Sequence, residues 1–167
     1  ITAVTHYSTI FSTVHAPLMH PVAVAKMTST IDHISNGRFA LNVVAGCFKN
    51  EFEMFDADLR EHGERYAYAA EWIELIKCLW SAEEAFDFDG QFFQGTKLWS
   101  QPKPLQSPHP PIMNAGSSSA GQDFSARHAD MNFVMLRQQD DESDAAQISQ
   151  LKMLAADRDR SSQCWIH

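Results

Sequence analysis

One amide and one carboxylate stand out in the sequence because of where they fall. Asn42 lies inside the apolar run of residues 39–45, and Glu51 comes shortly after that run ends. A buried amide costs free energy unless it is hydrogen-bonded. Its partner is expected to be either a neighbouring backbone group or a ligand, because strand ends and the loops that follow them commonly assemble binding sites.

A histidine and a cation occupy comparable positions. His15 follows the first strand-like run, where it is either an acid–base group or a structural histidine. Arg65 and Tyr66 come near the start of a predicted long helix. The helix dipole disfavours a cation there unless an anion compensates it, so Arg65 is expected to meet either a ligand or a local carboxylate of Glu61 or Glu64.

Small residues connect a predicted strand to a predicted helix at Gly116, Ser117 and Ser118. Backbone N–H groups and hydroxyls at such a junction can bind a phosphate, although an ordinary serine N-cap has the same composition. Ser118 is also spaced like the nucleophile elbow of serine hydrolases. Its histidine partner would have to be His128 or His167, the histidines that follow in the chain.

The sequence gives little indication of thiol or metal chemistry. The three cysteines are far apart and form no Cys-x-x-Cys pair, which predicts reduced thiols in a cytoplasmic protein. Cys47 has no adjacent histidine or basic residue and is interpreted as a packing residue. Glu51 and Glu53 are either paired catalytic carboxylates or the exposed start of a helix. No His-Glu-x-x-His or comparable cluster is present, so no metal is expected.

The elements that must position these residues alternate between strands and helices. Strands are predicted at residues 4–14, 39–45, 112–115 and 131–135, and helices at residues 21–34, 64–80, 117–128 and 141–156. A hairpin around Asp89 and Gly90, followed by a Pro-rich connector, forms an insertion at about residues 86–111. Four βα units predict a parallel sheet that is doubly wound or belongs to a barrel, although four units cannot close an eight-stranded barrel.

Composition excludes several classes of partner. The chain has 167 residues, of which 44% are hydrophobic, as expected of one globular unit. A net charge of −8 argues against nucleic-acid binding. No apolar run approaches the roughly 20 residues that cross a membrane. The chain opens without Met and ends on a strand-like run, which predicts a piece of a longer protein.

Many short motifs occur in an order that resembles the bacterial luciferase-like flavin-dependent monooxygenase family. They are spread from about Thr13 to Asp130. In chain order they are His20-Pro21, Ala25-Lys26, Thr30-Ile31-Asp32, Ser35-Asn36-Gly37-Arg38, Leu41-Asn42-Val43-Val44-Ala45-Gly46, Glu51-Phe52, Glu64-Arg65-Tyr66, Phe88-Asp89-Gly90, Pro102-Lys103-Pro104, Pro110-Pro111-Ile112 and Asn114-Ala115-Gly116-Ser117-Ser118. Within the family, the resemblance is greatest to the dimethyl sulfone and alkanesulfonate monooxygenases, and the pyrimidine monooxygenase is also similar.

The resemblance implies an α/β fold of the (β/α)8 TIM-barrel family. This chain would cover only about strands 3 to 6 with their helices, as a single incomplete segment over residues 1–167. Exposed sheet edges on such a segment predict association, and a homo-oligomer is expected.

The resemblance also implies an activity. The enzyme would use O2 and FMN reduced by a separate NAD(P)H-dependent reductase. It would oxygenate a small organic substrate, with a sulfone or sulfonate cleaved at its C–S bond. Two alternatives remain: hydride transfer with a flavin or deazaflavin on the same barrel, and a serine hydrolase that uses Ser118.

Site residues follow from the same resemblance. The residues implied to bind the cofactor are Asn42, Glu51, Arg65, Tyr66, Gly116, Ser117 and Ser118. Asn42 would hydrogen-bond the flavin ring, and Arg65 would hold the phosphate. His15 is the implied catalytic residue beside the flavin face. Cys47 stands where relatives often carry a bulky aromatic residue, which predicts an altered substrate pocket.

Overall fold

The computed structural model describes residues 1–134 and 141–166 of the chain, which divide into two compact units. The first unit covers Ile1–Pro110 and the second Pro111–His167. Each unit contains parallel strands joined through helices, as the alternating sequence pattern predicts. The prediction of a single domain over residues 1–167 stays a prediction.

The first unit begins with a βαβ unit. Strand β1 (Ile10–His15) pairs in parallel with β2 (Phe39–Val44), and helix α1 (Pro21–Ser35) connects them. Pro21 is the first helical residue, where its missing N–H costs nothing. Asn36 ends the helix in the left-handed conformation, with φ of 54°. Both helix boundaries therefore follow from local sequence signals.

The start of β1 differs from the prediction. Thr2–Val4 forms a 3-10 turn, and the strand begins only at Ile10. The guanidinium of Arg38 explains the difference, because it donates to the carbonyl oxygens of Thr2, Thr5 and Ser8 at 2.7–2.9 Å. These long-range hydrogen bonds hold the segment away from a strand conformation despite its β-branched composition.

Two further helices follow β2. Helix α2 (Lys49–Met54) is short, and helix α3 (His62–Ser81) packs against α1 through its apolar side. Burying each large apolar side chain there contributes about 1.5–3 kcal/mol. The residues of α3 that are fully or almost fully buried are Ala69, Trp72, Ile73, Leu75, Ile76, Leu79 and Trp80. The indole N–H of Trp72 donates to the carbonyl oxygen of Met19 at 2.7 Å, so its burial leaves no donor unpaired.

The predicted insertion contains a hairpin. Strands β3 (Phe86–Asp89) and β4 (Gln94–Leu98) pair antiparallel. The turn between them is held by Glu71 of α3, whose carboxylate accepts N–H bonds from three consecutive residues at 2.7–2.9 Å. The connector after the hairpin is bound by the buried carboxylate of Asp32, which accepts from the backbone N–H groups of residues 105 and 106.

The second unit repeats the strand–helix alternation. Strands β5 (Ile112–Asn114), β6 (Met131–Val134) and β7 (Gln163–Ile166) are parallel neighbours in that order. Helix α4 (Ser119–His128) joins the first two, and α5 (Asp141–Ala156) lies between β6 and β7 in the chain. The sequence predicted that the strand corresponding to β6 extends to residue 135, which lies outside the described residues. Across the described ranges, no helix combines the length and apolar character needed to cross a membrane.

Candidate functional site

Strands β1 and β2 present one polar face and one apolar face. Their register pairs Thr13 with Asn42 and His15 with Val44. Because side chains alternate along a strand, these four residues share one face. The opposite face carries the buried residues Val14, Leu41 and Val43. The predicted residues Asn42 and His15 therefore project from the same side of the strand pair, near the carboxyl ends of the strands.

Thr13 determines how the Asn42 amide is used. Nδ2 of Asn42 donates to Oγ1 of Thr13 at 3.1 Å. Oδ1 of Asn42 is buried and has no hydrogen-bond partner among the described residues. The amide is thus held by its donor end, and its acceptor end is available. Sequence reasoning missed Thr13, because only the strand register places its hydroxyl opposite Asn42.

A sharp turn after β2 brings Glu51 back to β1. Gly46 has φ of 93°, and a Cβ at this position would lie 2.5 Å from Cζ of Phe52, which is 1% exposed. Glycine is therefore required for the close approach of α2. Glu51 in the first turn of α2 then places Oε2 3.3 Å from Nδ1 of His15.

Arg65 also contacts this turn. Its Nη1 donates to the carbonyl oxygen of Gly46, while its Nε is buried and has no partner among the described residues. Glu64 instead forms an ion pair with Arg60, with 3.4 Å between Oε1 and Nε. The structure thus shows Arg65 bound to a backbone carbonyl rather than to the neighbouring carboxylate of Glu64. Tyr66 follows on α3, and its ring packs on that of His62 with 5.3 Å between centroids.

The Gly116–Ser118 segment lies in the second unit. Asn114 at the end of β5 organises it, because its Oδ1 accepts from the N–H of Gly116 at 2.8 Å and from the hydroxyl of Ser125 at 2.9 Å. Ser118 is the N-cap of α4, and its Oγ accepts from the N–H of Gly121 at 3.2 Å. Ser117 is exposed. That the two groups of predicted residues bind one phosphate stays a prediction.

The N-cap role of Ser118 disfavours the hydrolase alternative. A nucleophilic serine needs a histidine within hydrogen-bond reach. His128 is the last residue of the ten-residue helix α4, so the rise of about 1.5 Å per residue puts its backbone about 15 Å from that of Ser118. His167 lies outside the described residues.

Tyr68 lies in a separate cluster of aromatic rings and one arginine. The guanidinium of Arg60 lies 4.4 Å from the centroid of the Tyr68 ring, and the rings of Phe92 and Phe93 contact the same tyrosine. Burial raises the pKa of Tyr68, and the nearby charge of Arg60 opposes this shift. None of the predicted site residues belongs to this cluster. Its contacts join α3 to the hairpin turn, which is a structural role.

The surface of α2 carries a separate cavity of about 410 Å³. It is lined by Lys49, Phe52, Glu53, Asp56, Ala57, Asp58 and Leu59. It therefore includes none of the predicted site residues. In the part of the chain that the structure describes, no group of three or more His, Cys, Asp or Glu residues is arranged to hold a metal ion.

The first unit thus presents a ligand with both an acceptor and a cation. A buried acceptor on Asn42 and a buried guanidinium nitrogen on Arg65 each lack a protein partner in the described chain. Unsatisfied buried polar atoms are uncommon in native structures and call for an explanation. A ligand with ring N–H donors and an anionic group fits both atoms.

Comparison with known protein families shows to which family this chain belongs. The family described as luciferase-like monooxygenase matches residues 1–164. The chain belongs to this family. The predicted family is therefore confirmed. Its luciferase-like relatives include the FMNH2-dependent dimethylsulfone monooxygenase of Pseudomonas putida, which is 41% identical over 114 residues, covering 68% of this chain and 31% of that protein.

Other luciferase-like proteins match over more of the chain. The pyrimidine monooxygenase RutA of Serratia proteamaculans is 38% identical over 99% of this chain and 45% of its own length. The crystal structure of the long-chain alkane monooxygenase LadA superposes with a TM-score of 0.89 and 24% identity, covering 99% of this chain and 43% of that one. The chain has the α/β fold of the luciferase-like TIM-barrel monooxygenases, as predicted, and spans less than half the length of these relatives.

Proposed function

We propose that the full-length protein is a two-component monooxygenase that uses FMN, reduced by a separate NAD(P)H-dependent reductase, together with O2. The observation that carries this proposal is Oδ1 of Asn42 in β2, which is buried and has no hydrogen-bond partner among the described residues. An amide oxygen can only accept hydrogen bonds, and the reduced flavin ring carries N–H donors. In the structure Nδ2 of the amide faces Thr13, which leaves Oδ1 as the atom for a ligand donor.

The other predicted residues have compatible roles. Arg65 and Tyr66 in the first unit are proposed to bind a phosphate, and Gly116, Ser117 and Ser118 in the second unit are proposed for the same kind of contact, since guanidinium groups and helix N-termini both favour anions. His15 would act as a proton acceptor or donor beside the ring. Bound reduced FMN supplies the electrons that activate O2. The task of this chain is to orient the ring and to exclude water around it.

An organosulfur substrate is the finer part of the proposal. The name of the Pseudomonas putida relative supports it, since that protein is described as acting on dimethylsulfone. The exposed Cys47 directly follows the Gly46 turn and provides a small side chain beside the site. Cleavage of a sulfone or sulfonate at the C–S bond would release sulfinate or sulfite. We further propose that the protein is a cytoplasmic homo-oligomer.

A flavin titration tests the cofactor assignment. Reduced FMN is titrated anaerobically into the full-length protein and into Asn42→Ala, with Asn50→Ala as the control, since Asn50 is exposed on α2. Removing one ring hydrogen bond should weaken binding about tenfold, which corresponds to about 1.4 kcal/mol. Equal affinities for wild type and Asn42→Ala would exclude the assignment.

A second experiment tests the reaction. Uptake of O2 by the protein with reduced FMN is measured with dimethyl sulfone or methanesulfonate, and the release of sulfinate or sulfite is followed. Substrate-dependent product release supports the proposal. If the protein instead transfers hydride from an added organic substrate to an oxidised deazaflavin under anaerobic conditions, so that the substrate is oxidised as the deazaflavin is reduced, and shows no substrate-dependent use of O2, the hydride-transfer alternative is correct.

A further inference from the structure

His15 and Glu51 form a pair that connects two elements of the first unit. Nδ1 of His15, the last residue of β1, lies 3.3 Å from Oε2 of Glu51 in α2. Oε2 is buried and has no hydrogen bond among the described residues, while His15 Nδ1 lies within ion-pair distance of it. A buried carboxylate oxygen requires a donor, and a protonated Nδ1 is within reach to supply one.

The backbone positions of both residues are fixed by neighbouring elements. His15 is fixed by its pairing with Val44 in the parallel strand ladder. Glu51 is fixed because α2 is anchored by the buried ring of Phe52 against Gly46, whose carbonyl oxygen accepts from Arg65. The pair therefore does not depend on two long side chains meeting by chance, as exposed ion pairs often do.

The contact determines which imidazole nitrogen is free. In a neutral imidazole one nitrogen carries the proton and the other has the lone pair. A carboxylate beside Nδ1 favours the proton at Nδ1, and Nε2 then becomes the acceptor. The His15 side chain is 26% exposed, so an edge of the ring remains accessible on the face that also carries Asn42.

We infer that Glu51 is a positioning residue for His15: it holds the proton on Nδ1 and leaves Nε2 as the proton acceptor toward the bound reactants. When Nε2 takes a proton, the positive charge of the imidazolium lies beside the Glu51 carboxylate. Oε1 of Glu51 remains for the predicted contact with the cofactor. The catalytic consequence rests on the proposed function, whereas the state of the imidazole does not.

The test measures the tautomer of the His15 imidazole directly. The full-length protein is labelled with 15N-histidine, and long-range 1H–15N spectra are recorded without flavin at a pH where His15 is neutral. The His15 signals are assigned by their loss in His15→Asn. We expect the Nδ1–H tautomer in the wild type. In Glu51→Ala the Nε2–H tautomer, which is favoured in a free histidine side chain, should replace it.

Two further variants separate charge from geometry. Glu51→Gln keeps the shape of the side chain without its charge, and the Nδ1–H tautomer should be less populated than in the wild type because the amide can also turn its NH2 group toward Nδ1. This variant also covers the case that Glu51→Ala fails to fold. Glu53→Gln is the matched control, since Glu53 lies on the same helix and pairs with Lys49. A wild-type protein with the Nε2–H tautomer overturns the inference, even if reduced FMN binds and O2 is consumed.

Kinetics provide the second readout. Glu51→Ala should lower kcat/KM by about 10- to 100-fold, in the range seen when a hydrogen-bonding partner of a functional histidine is removed. The same change made in a His15→Ala background should have a much smaller effect, because the two residues act as a unit. Independent, additive losses would overturn the positioning role, and a failure to bind FMN would count against the proposed function alone.

Discussion

Thr13 and Asn42 face each other across two parallel strands, and the hydroxyl of Thr13 accepts from Nδ2 of Asn42 at 3.1 Å. In this arrangement Oδ1 is the end of the amide that has no hydrogen-bond partner in the described part of the chain. The role proposed for Asn42 therefore depends on a residue whose type alone gives no functional signal.

Thr13→Val tests this relationship, because valine keeps the shape of threonine but cannot accept the hydrogen bond. We expect the affinity for reduced FMN to fall about fivefold, since a lost hydrogen bond costs about 1 kcal/mol. The Kd is measured by anaerobic titration, with Thr96→Val on the exposed strand β4 as the control. An unchanged Kd in Thr13→Val would show that the amide is oriented by other contacts.

Arg65→Ala tests the phosphate assignment through the choice of ligand. FMN and riboflavin differ only in the phosphate, so loss of a phosphate-binding guanidinium should affect FMN alone. Charge-assisted hydrogen bonds are worth about 1.5–3 kcal/mol, and we expect the affinity for FMN to fall at least tenfold. Equal losses for FMN and riboflavin would mean that Arg65 acts only through the Gly46 carbonyl that it binds.

Ser118 has an observed role and a predicted one, and two substitutions separate them. Its hydroxyl caps α4 by accepting from Gly121, so Ser118→Ala should lower the free energy of unfolding by about 1 kcal/mol. Ser118→Asp preserves the cap but adds a negative charge. If a phosphate binds here, Ser118→Asp should keep the unfolding midpoint and lose affinity for FMN. Retained FMN affinity in Ser118→Asp would leave only the capping role.

The elements were predictable where their signals are local. Pro21 and Asn36 mark the two ends of α1, and both boundaries agree with the structure. The start of β1 was not predictable, because Arg38 binds the preceding backbone from a distant position in the chain. The contact between His15 and Glu51 was not predictable either, because the two residues are distant in the chain. Each of them was nevertheless predicted individually as a site residue.

Alkaline stability should report the environment of Tyr68. Burial raises the pKa of Tyr68 above the ordinary value of a tyrosine, so the unfolded chain releases this proton at a lower pH than the folded protein. The stabilising contribution of the neutral phenol is therefore complete below about pH 10 and is lost as the pH rises toward the folded pKa. Tyr68→Phe should show a smaller fall in urea midpoint between pH 9 and pH 11 than the wild type. Parallel curves for the two proteins would contradict the burial of the hydroxyl.

Gly46 should be indispensable for the site, because its positive φ and the nearby Phe52 ring both exclude a side chain. Gly46→Ala should lower the free energy of unfolding by about 1–3 kcal/mol, the cost typical of backbone strain at such positions. Any folded fraction should lose the Nδ1–H signal of His15, since α2 can no longer place Glu51 beside the ring. Gly63→Ala is the matched control, because a Cβ there meets nothing within 4 Å and alanine is favoured in a helix. Stability and His15 signals equal to those of Gly63→Ala would show that the turn after β2 can be rebuilt without glycine.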